Sequence, residues 1–193
     1  MIVVVGLGNP GREYEGTRHN LGFRALDRFA DMAGASFDRE GFKGSYAIVK
    51  NPLFEEDVIL LKPNTFMNLS GESVQAITCF YKIVPQDVIV VYDDMALPEG
   101  SIRLRKDGSN GSHNGMGNII KMMGTQNIKR IRIGIGEPQH TGVDWVLGKP
   151  SGESLLKIEE ALDEAAKAIK DALIHGFDFA MSHHNGNGKK ESL

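Results

Sequence analysis

Short apolar runs along the chain predict several buried β-strands. Residues 2–5 (Ile-Val-Val-Val) are β-branched and end at a glycine, and 87–93 contains four consecutive apolar residues. A run that is apolar on both faces is typical of a central strand in a largely parallel sheet. Shorter or alternating patterns predict further strands at 44–50, 57–62 and 130–135.

Apolar residues at helical spacing predict helices between these strands. The longest stripe lies in 154–175, where Leu155, Ile158 and Leu162 recur three or four residues apart. Shorter stripes predict helices over 20–33, 68–82 and 116–123. Strands that alternate with helices indicate a three-layer α/β/α sandwich, in which functional side chains collect beyond the carboxyl ends of the strands.

Composition fits a single domain of ordinary size. The chain has 193 residues, of which 41% are hydrophobic and 24% are charged. We assign 1–180 to one domain and predict that the polar, Gly-rich segment 181–193 is a disordered tail. A single cysteine, Cys79, excludes an internal disulfide, and its apolar neighbours predict that it is buried. Without a membrane-length apolar run or signal peptide, we expect a cytoplasmic protein.

A glycine-rich segment directly follows the first strand. Residues 6–11 match the G-x-G-x-x-G pattern of dinucleotide sites. In such sites a helix begins within the glycines and its free N–H groups face the pyrophosphate. Here Pro10 removes one N–H, and 12–16 shows no apolar helical stripe. A glycine-rich turn is therefore the better interpretation, and a nucleotide-binding oxidoreductase is kept only as an alternative.

The candidate chemistry begins with a histidine and a carboxylate. His19 lies in a polar stretch just before a predicted helix, and Asp93 closes the predicted central strand. A carboxylate that accepts from one imidazole nitrogen would fix the tautomer and leave the other nitrogen to deprotonate water. A solvated His19 and a simple turn at Asp93-Asp94 are the alternatives.

Other catalytic groups are poorly represented. The sequence has no Gly-x-Ser-x-Gly elbow and no His-Glu-x-x-His, so we expect neither a serine nucleophile nor a metal. A base, an orienting carboxylate and several amides suit direct attack of water on an activated ester. Asn68 and Asn114 can hold substrate without adding charge, although both fall at predicted helix starts, where capping alone would explain them.

Charge is unevenly distributed in a chain whose formal net charge is −3. Residues 101–135 contain seven basic residues and one acidic residue, Asp107. Arginines and lysines in such a segment favour a phosphate-bearing ligand. The alternative is an ordinary solvated face.

Six segments in order along the chain closely resemble bacterial peptidyl-tRNA hydrolases. The resemblance implies hydrolysis of the ester between a peptide and its tRNA by a monomer with no cofactor, no metal and no membrane association. It also implies a twisted, mixed sheet between helices. The matching segments are 6–23, 62–71, 93–100, 108–115, 130–138 and 146–150.

The resemblance implies a role for nine residues. Catalytic roles fall on the base His19, the orienting Asp93 and Asn9, which helps to sense the blocked, peptidyl state of the substrate. Contacts to the acylated 3′ end of the tRNA are implied for Tyr14, Phe66, Asn68 and Asn114. Contacts to its 5′ phosphate are implied for Arg105 and Arg132.

The chain departs from the family pattern at a few positions. Ala96 stands where the family has an Asp, Ser112 replaces a Gly, and Met116-Gly117 replaces Leu-Lys. The lost carboxylate and lysine affect the expected affinity for tRNA but not the His19 and Asp93 chemistry. An RNA-binding protein on the same fold without required catalysis, as in related plant organelle splicing factors, is a further alternative.

Overall fold

Seven strands form one continuous sheet. The computed structural model describes residues 1–186. The strands are β1 (Ile2–Gly6), β2 (Arg39–Gly41), β3 (Gly44–Val49), β4 (Val58–Pro63), β5 (Val88–Asp94), β6 (Ile102–Arg105) and β7 (Lys129–Gly134). Their order across the sheet is β2-β3-β4-β1-β5-β7-β6. The four central strands, β4, β1, β5 and β7, run parallel to one another. The pairs β2–β3, β3–β4 and β6–β7 are antiparallel.

Helices cover both faces of the sheet. They are α1 (Leu21–Met32), α2 (Ser70–Tyr81), α3 (Asn114–Met123), α4 (Gly142–Val146), α5 (Gly152–His175) and α6 (Phe177–His184). Short 3₁₀ turns occupy Arg12–Tyr14, Arg18–Asn20, Met67–Leu69 and Pro85–Asp87. Across residues 1–186, none of these helices has the length and apolarity needed to span a membrane.

Alternating side chains of the central strands feed two separate cores. Val4 and Val91 face a core shared with α1, α5 and α6, whereas Val5 and Val90 face a core shared with α2 and α3. This alternation is the period-two pattern of strands buried on both faces. The predicted three-layer α/β/α sandwich with a mixed, largely parallel sheet is therefore confirmed.

Short elements and some burial assignments differ from the predictions. Strands β2 and β6 and helices α4 and α6 were not predicted, because runs of three to eight residues carry little periodicity. Cys79 is exposed near the end of α2, so the prediction that it is buried was wrong. Its helix turns Ile77 and Thr78 inward instead.

The predicted disordered tail is partly structured. Residues 181–184 complete α6, and His184 is buried against α5, with Glu164 and Asp171 as its partners. Asn185 bonds to the backbone of Leu104. These polar contacts order a segment that has too few apolar residues to be recognised as structured. Residues 187–193 of the predicted tail lie outside the described residues, and the single domain over 1–180 stays a prediction.

Two glycines let β1, α1 and β5 approach one another at backbone distance. A Cβ on Gly22 would lie 2.2 Å from the carbonyl oxygen of Val91, and one on Gly6 would lie 2.3 Å from that of Gly22. Backbone bonds join the same segments, from Leu7 N–H to Val91 and from Phe23 N–H to Leu7. The glycine-rich motif thus packs backbone against backbone, and α1 begins only at Leu21, beyond the motif.

We expect Gly22→Ala to destabilise the fold. The added methyl group meets rigid backbone rather than flexible side chains, and such overpacking typically lowers the free energy of unfolding by about 1–3 kcal/mol. Urea denaturation measures the change. Gly142→Ala is the control, because its Cβ would meet only the end of Met95 at an ordinary distance. Equal stability of the two variants would contradict the close backbone packing.

Candidate active site

A buried carboxylate and a histidine meet at the carboxyl end of β5. Nδ1 of His19 lies 2.9 Å from Oδ2 and 3.1 Å from Oδ1 of Asp93. The side chain of Asp93 is 1% exposed and that of His19 is 12% exposed. A carboxylate can only accept, so Nδ1 carries the ring proton and Nε2 keeps its lone pair. The contact predicted from the sequence therefore forms between residues 74 positions apart.

A second histidine holds the same carboxylate from the other side. Nε2 of His113 lies 3.0 Å from Oδ1 of Asp93, and its Nδ1 accepts from the backbone N–H of Met116 at 3.1 Å. His113 is thus the N-cap of α3, and the cap fixes its proton on Nε2. His113 was not among the site residues predicted from the sequence. Its one signal was its position just before the predicted start of α3.

The free nitrogen of His19 belongs to a pocket. His19 lines a pocket of about 290 Å³ together with Asp93, His113 and Asn114, and with Thr141 to Val143 of the α4 region. Among the described residues, Nε2 of His19 has no hydrogen-bond partner. An unprotonated nitrogen facing a pocket is the arrangement that a general base requires.

The two imidazoles decide the charge state of Asp93. Burial alone would raise the pKa of its carboxyl group, but hydrogen bonds and charge interactions with His113 and His19 outweigh burial and hold that pKa well below its ordinary value. Asp93 is therefore a carboxylate throughout the neutral range. A fixed negative charge at Nδ1 stabilises the imidazolium that forms when Nε2 takes a proton.

The same three side chains have a spacing that a metal ion could bridge, since one ligand atom from each lies within 4.8 Å of the others. Metal binding at Nε2 of His113 would need the ring proton on Nδ1. That nitrogen already accepts from Met116 N–H, so the tautomer conflicts with ligation. We interpret the cluster as a hydrogen-bonded His–Asp–His network.

The turn that carries His19 is held on both sides. The guanidinium of Arg18 stacks 3.7 Å above the ring of Trp145, and its backbone N–H donates to Gly148. On the other side, the amide of Asn20 binds both backbone groups of Asn9, at 2.9 and 3.0 Å. These contacts set the position of His19 relative to α4 and to the loop after β1.

Asn9 is buried in an orientation that leaves only donor groups free. Its Oδ1 accepts from the backbone N–H of Met67 at 2.8 Å. The Nδ2 group, with two N–H donors, has no partner among residues 1–186. Asn9 lines a groove of about 470 Å³ with Asn20 and Phe23, rather than the pocket of His19.

The helix-capping explanation fails for both Asn68 and Asn114. Among residues 1–186, no side chain caps α2, and α3 is capped by His113. Both asparagines are exposed, and within the described part of the chain their amides make no hydrogen bond. Asn118, by contrast, accepts from Gly71 N–H at 2.7 Å and is structural.

Two predicted aromatic contacts lie near this region but outside both cavities. Tyr14 is half-buried in the turn after the glycine-rich segment, and Phe66 is 58% exposed immediately before the turn that carries Asn68. An aromatic side chain this exposed, beside Met67 and its bond to Asn9, is available to contact a ligand.

Adjacent aspartates have different tasks. Asp94 forms the turn after β5 by accepting from Ala96 N–H at 2.8 Å, and its other oxygen binds the guanidinium of Arg132 at 2.9 Å. A simple turn at Asp93-Asp94 was the alternative to a catalytic role for Asp93, and in the structure Asp94 makes that turn. Because Asp94 also lines the pocket, the ion pair places Arg132 at its rim.

The basic segment separates into structural and available arginines. Arg130 is 1% exposed and donates to three backbone carbonyls, so it is structural. Arg105 is exposed on β6, outside the pocket. In the β6–β7 register, Arg103 lies opposite Arg132 and Arg105 opposite Arg130, so all four project from one face of the sheet.

Known proteins match this chain over nearly its whole length. Residues 3–192 match the family model described as peptidyl-tRNA hydrolase. Curated peptidyl-tRNA hydrolases of Clostridium acetobutylicum and Thermoanaerobacter are 45% and 48% identical to this chain. Each alignment covers 96% of this chain, together with 98% of the first protein and 100% of the second. The crystal structure of the Acinetobacter baumannii peptidyl-tRNA hydrolase is 36% identical, with a TM-score of 0.88 over 96% of this chain and 94% of that one.

Substitution of Asp93 should change how stability depends on pH. The folded-state pKa lies below the value of about 3.9 for an unfolded Asp, so the contribution of the carboxylate is present above about pH 4 and is lost as pH falls further. We expect Asp93→Asn to lower the free energy of unfolding at neutral pH by about 1–3 kcal/mol, because it removes the charge that both imidazoles stabilise and turns an NH₂ donor toward a buried ring N–H.

The difference between wild type and Asp93→Asn should persist down to about pH 4 and decrease below it. Chemical denaturation at pH 7, 5 and 3 measures this. Asp31→Asn, which changes an exposed carboxylate on α1, is the control. A difference that stays constant down to pH 3 would show that the charge of Asp93 is not stabilised by its neighbours.

Proposed function

Since this chain belongs to the peptidyl-tRNA hydrolase family and hydrolyses the ester between peptide and tRNA, we propose that His19 activates the attacking water and that Asp93 orients His19. The observation that carries this proposal is the 2.9 Å contact between Nδ1 of His19 and Asp93, with Nε2 left facing the pocket. The enzyme releases free tRNA for reuse in translation.

The proposed reaction is a direct attack by water. Nε2 of His19 takes a proton from water while the oxygen attacks the ester carbonyl, and Asp93 stabilises the imidazolium. Collapse of the tetrahedral intermediate breaks the bond to the 3′ oxygen of the tRNA, which receives the proton from His19. The products are a peptide carboxylic acid and a tRNA with a free 3′ hydroxyl. No cofactor or metal takes part in these steps.

Asparagine donors suit the neutral parts of the substrate. Asn9 has its donors free and its acceptor occupied, which supports its proposed role in recognising a carbonyl of the blocked, peptidyl substrate. Asn68 and Asn114 have unused amides, and the exposed Phe66 lies two residues before Asn68. Tyr14, half-buried in the turn after the glycine-rich segment, is added to them on the family resemblance. We assign these four side chains to the acylated 3′ end.

The tRNA 5′ phosphate is assigned to the arginine face of β6 and β7. Arg105 and Arg132 are the proposed clamp, and the register adds Arg103, directly opposite Arg132. Guanidinium groups bind phosphate oxygens through charge-assisted hydrogen bonds. Arg132 remains tied to Asp94, so the pair also links the phosphate region to the rim of the pocket.

We further propose that the enzyme acts as a cytoplasmic monomer. The monomeric state is what the family resemblance implies. A single cysteine also fits a reducing compartment.

Replacing His19 with Ala should lower kcat at least about a hundredfold, the usual scale of a positioned base. The assay is release of N-blocked amino acid from N-blocked aminoacyl-tRNA, with free aminoacyl-tRNA as the comparison substrate. Near-normal turnover by His19→Ala would show that His19 is not the base. If the wild type bound the tRNA without releasing the amino acid, the alternative of an RNA-binding protein without catalysis would be favoured.

Arg105→Ala and Arg132→Ala should chiefly raise KM for intact peptidyl-tRNA and flatten its salt dependence, because each removes a phosphate contact. A short nucleotidyl-peptide fragment that lacks the 5′ phosphate should be hydrolysed as before. The control is Lys50→Ala, which removes one positive charge after β3, at the opposite side of the sheet. Equal losses on the fragment would exclude a phosphate clamp.

A further inference from the structure

The outer edge of β6 is closed by a side chain from the end of the chain's last described helix. β6 is the edge strand of the sheet next to β7. The N–H of Leu104 donates to Oδ1 of Asn185 at 2.7 Å, and Nδ2 of Asn185 donates to the carbonyl of Leu104 at 3.0 Å. The amide of Asn185 therefore pairs with Leu104 as the peptide group of an eighth strand would.

Asn185 is anchored by the residue before it. The side chain of His184 is 7% exposed, with Nδ1 3.0 Å from Glu164 and Nε2 2.7 Å from Asp171. These two carboxylates lie seven residues apart on α5, so they occupy the same face of that helix. His184 thus fixes the end of α6 to α5, and an ion pair between Lys106 and Asp178 joins the other end of α6 to the residue after β6.

The hydrogen bonds between Leu104 and Asn185 bear on the direction of the side chains on either side of Leu104. The side chain of Leu104 is fully buried in the core that α5 and α6 share. Successive strand residues point to opposite faces, so an inward Leu104 requires Arg103 and Arg105 to project from the other face. Both arginines are exposed there and, within residues 1–186, form no salt bridge.

We propose that Asn185 is a positioning residue for tRNA binding: by holding Leu104, it sets the direction in which Arg103 and Arg105 meet the 5′ phosphate of the tRNA. His184 acts through Asn185 by anchoring it to α5. This inference rests on the phosphate site proposed above. Helix α6 and Asn185 thereby contribute to substrate affinity and take no part in the chemical step.

The test compares one tRNA with and without its 5′ phosphate. N-blocked aminoacyl-tRNA is prepared from untreated and phosphatase-treated tRNA, and KM and kcat are measured for wild type and Asn185→Ala. We expect KM for the phosphorylated substrate to rise about three- to tenfold, on the scale of a weakened charge-assisted contact. We expect kcat and the KM for the dephosphorylated substrate to change less than about twofold.

A mutant cycle shows whether Asn185 acts through the arginines. In an Arg103→Ala/Arg105→Ala background, Asn185→Ala should raise KM no further, because the groups that it positions are gone. Hydrogen exchange at the Leu104 amide should become faster in Asn185→Ala and stay unchanged in the control Ser182→Ala, whose hydroxyl bonds only within α6. His184→Ala, compared with the exposed neighbour variant His183→Ala, should repeat the pattern of Asn185→Ala.

The possible failures are distinguishable. If Arg103→Ala/Arg105→Ala leaves KM for the phosphorylated substrate unchanged, the phosphate site itself is wrong and the inference falls with it. If that variant raises KM but Asn185→Ala does not, or raises KM equally for both substrates, the phosphate site stands and the positioning role is refuted.

Discussion

The carboxylate of Asp93 is the group on which the rest of the site depends. A buried charge costs several kcal/mol unless polar groups surround it, and here donors from His19 and His113 supply that environment. In return, the carboxylate fixes the proton of each ring. Because His19 follows β1 and His113 begins α3, one side chain in β5 joins three segments that are far apart in sequence.

Backbone packing sets the distance over which this contact forms. Gly22 at the start of α1 lies against the carbonyl of Val91, two residues before Asp93, and the Arg18–Asn20 turn that carries His19 leads directly into that helix. A side chain at Gly22 would meet the backbone of Val91 and Leu7, the segments that this packing holds together. Gly22 and Gly6 thus serve the chemistry indirectly, through close packing rather than through ligand binding.

The number of arginines on β6 and β7 overstates how many of them are free to bind a phosphate. Of the arginines on the face of β6 and β7, Arg130 is consumed by backbone carbonyls and Arg132 is shared with Asp94. Of these four arginines, only Arg103 and Arg105 are exposed and, among residues 1–186, form no salt bridge. Their availability follows from strand alternation at an edge that the end of α6 closes.

The sequence by itself determined the layered fold, the long helices and the central strands, because apolar periodicity reports which local faces are buried. It also nominated His19 and Asp93 as candidate partners, but the contact between them was established only by the structure. Only the tertiary structure decided that His113 shares Asp93, that Asp94 makes the turn, that Arg130 is internal, that Cys79 is exposed and that α6 extends to His184. Each depends on a polar partner or a packing surface supplied by another segment. The path of the chain brings these partners together from distant parts of the sequence, and the local pattern of apolar and polar residues does not show which segments will meet.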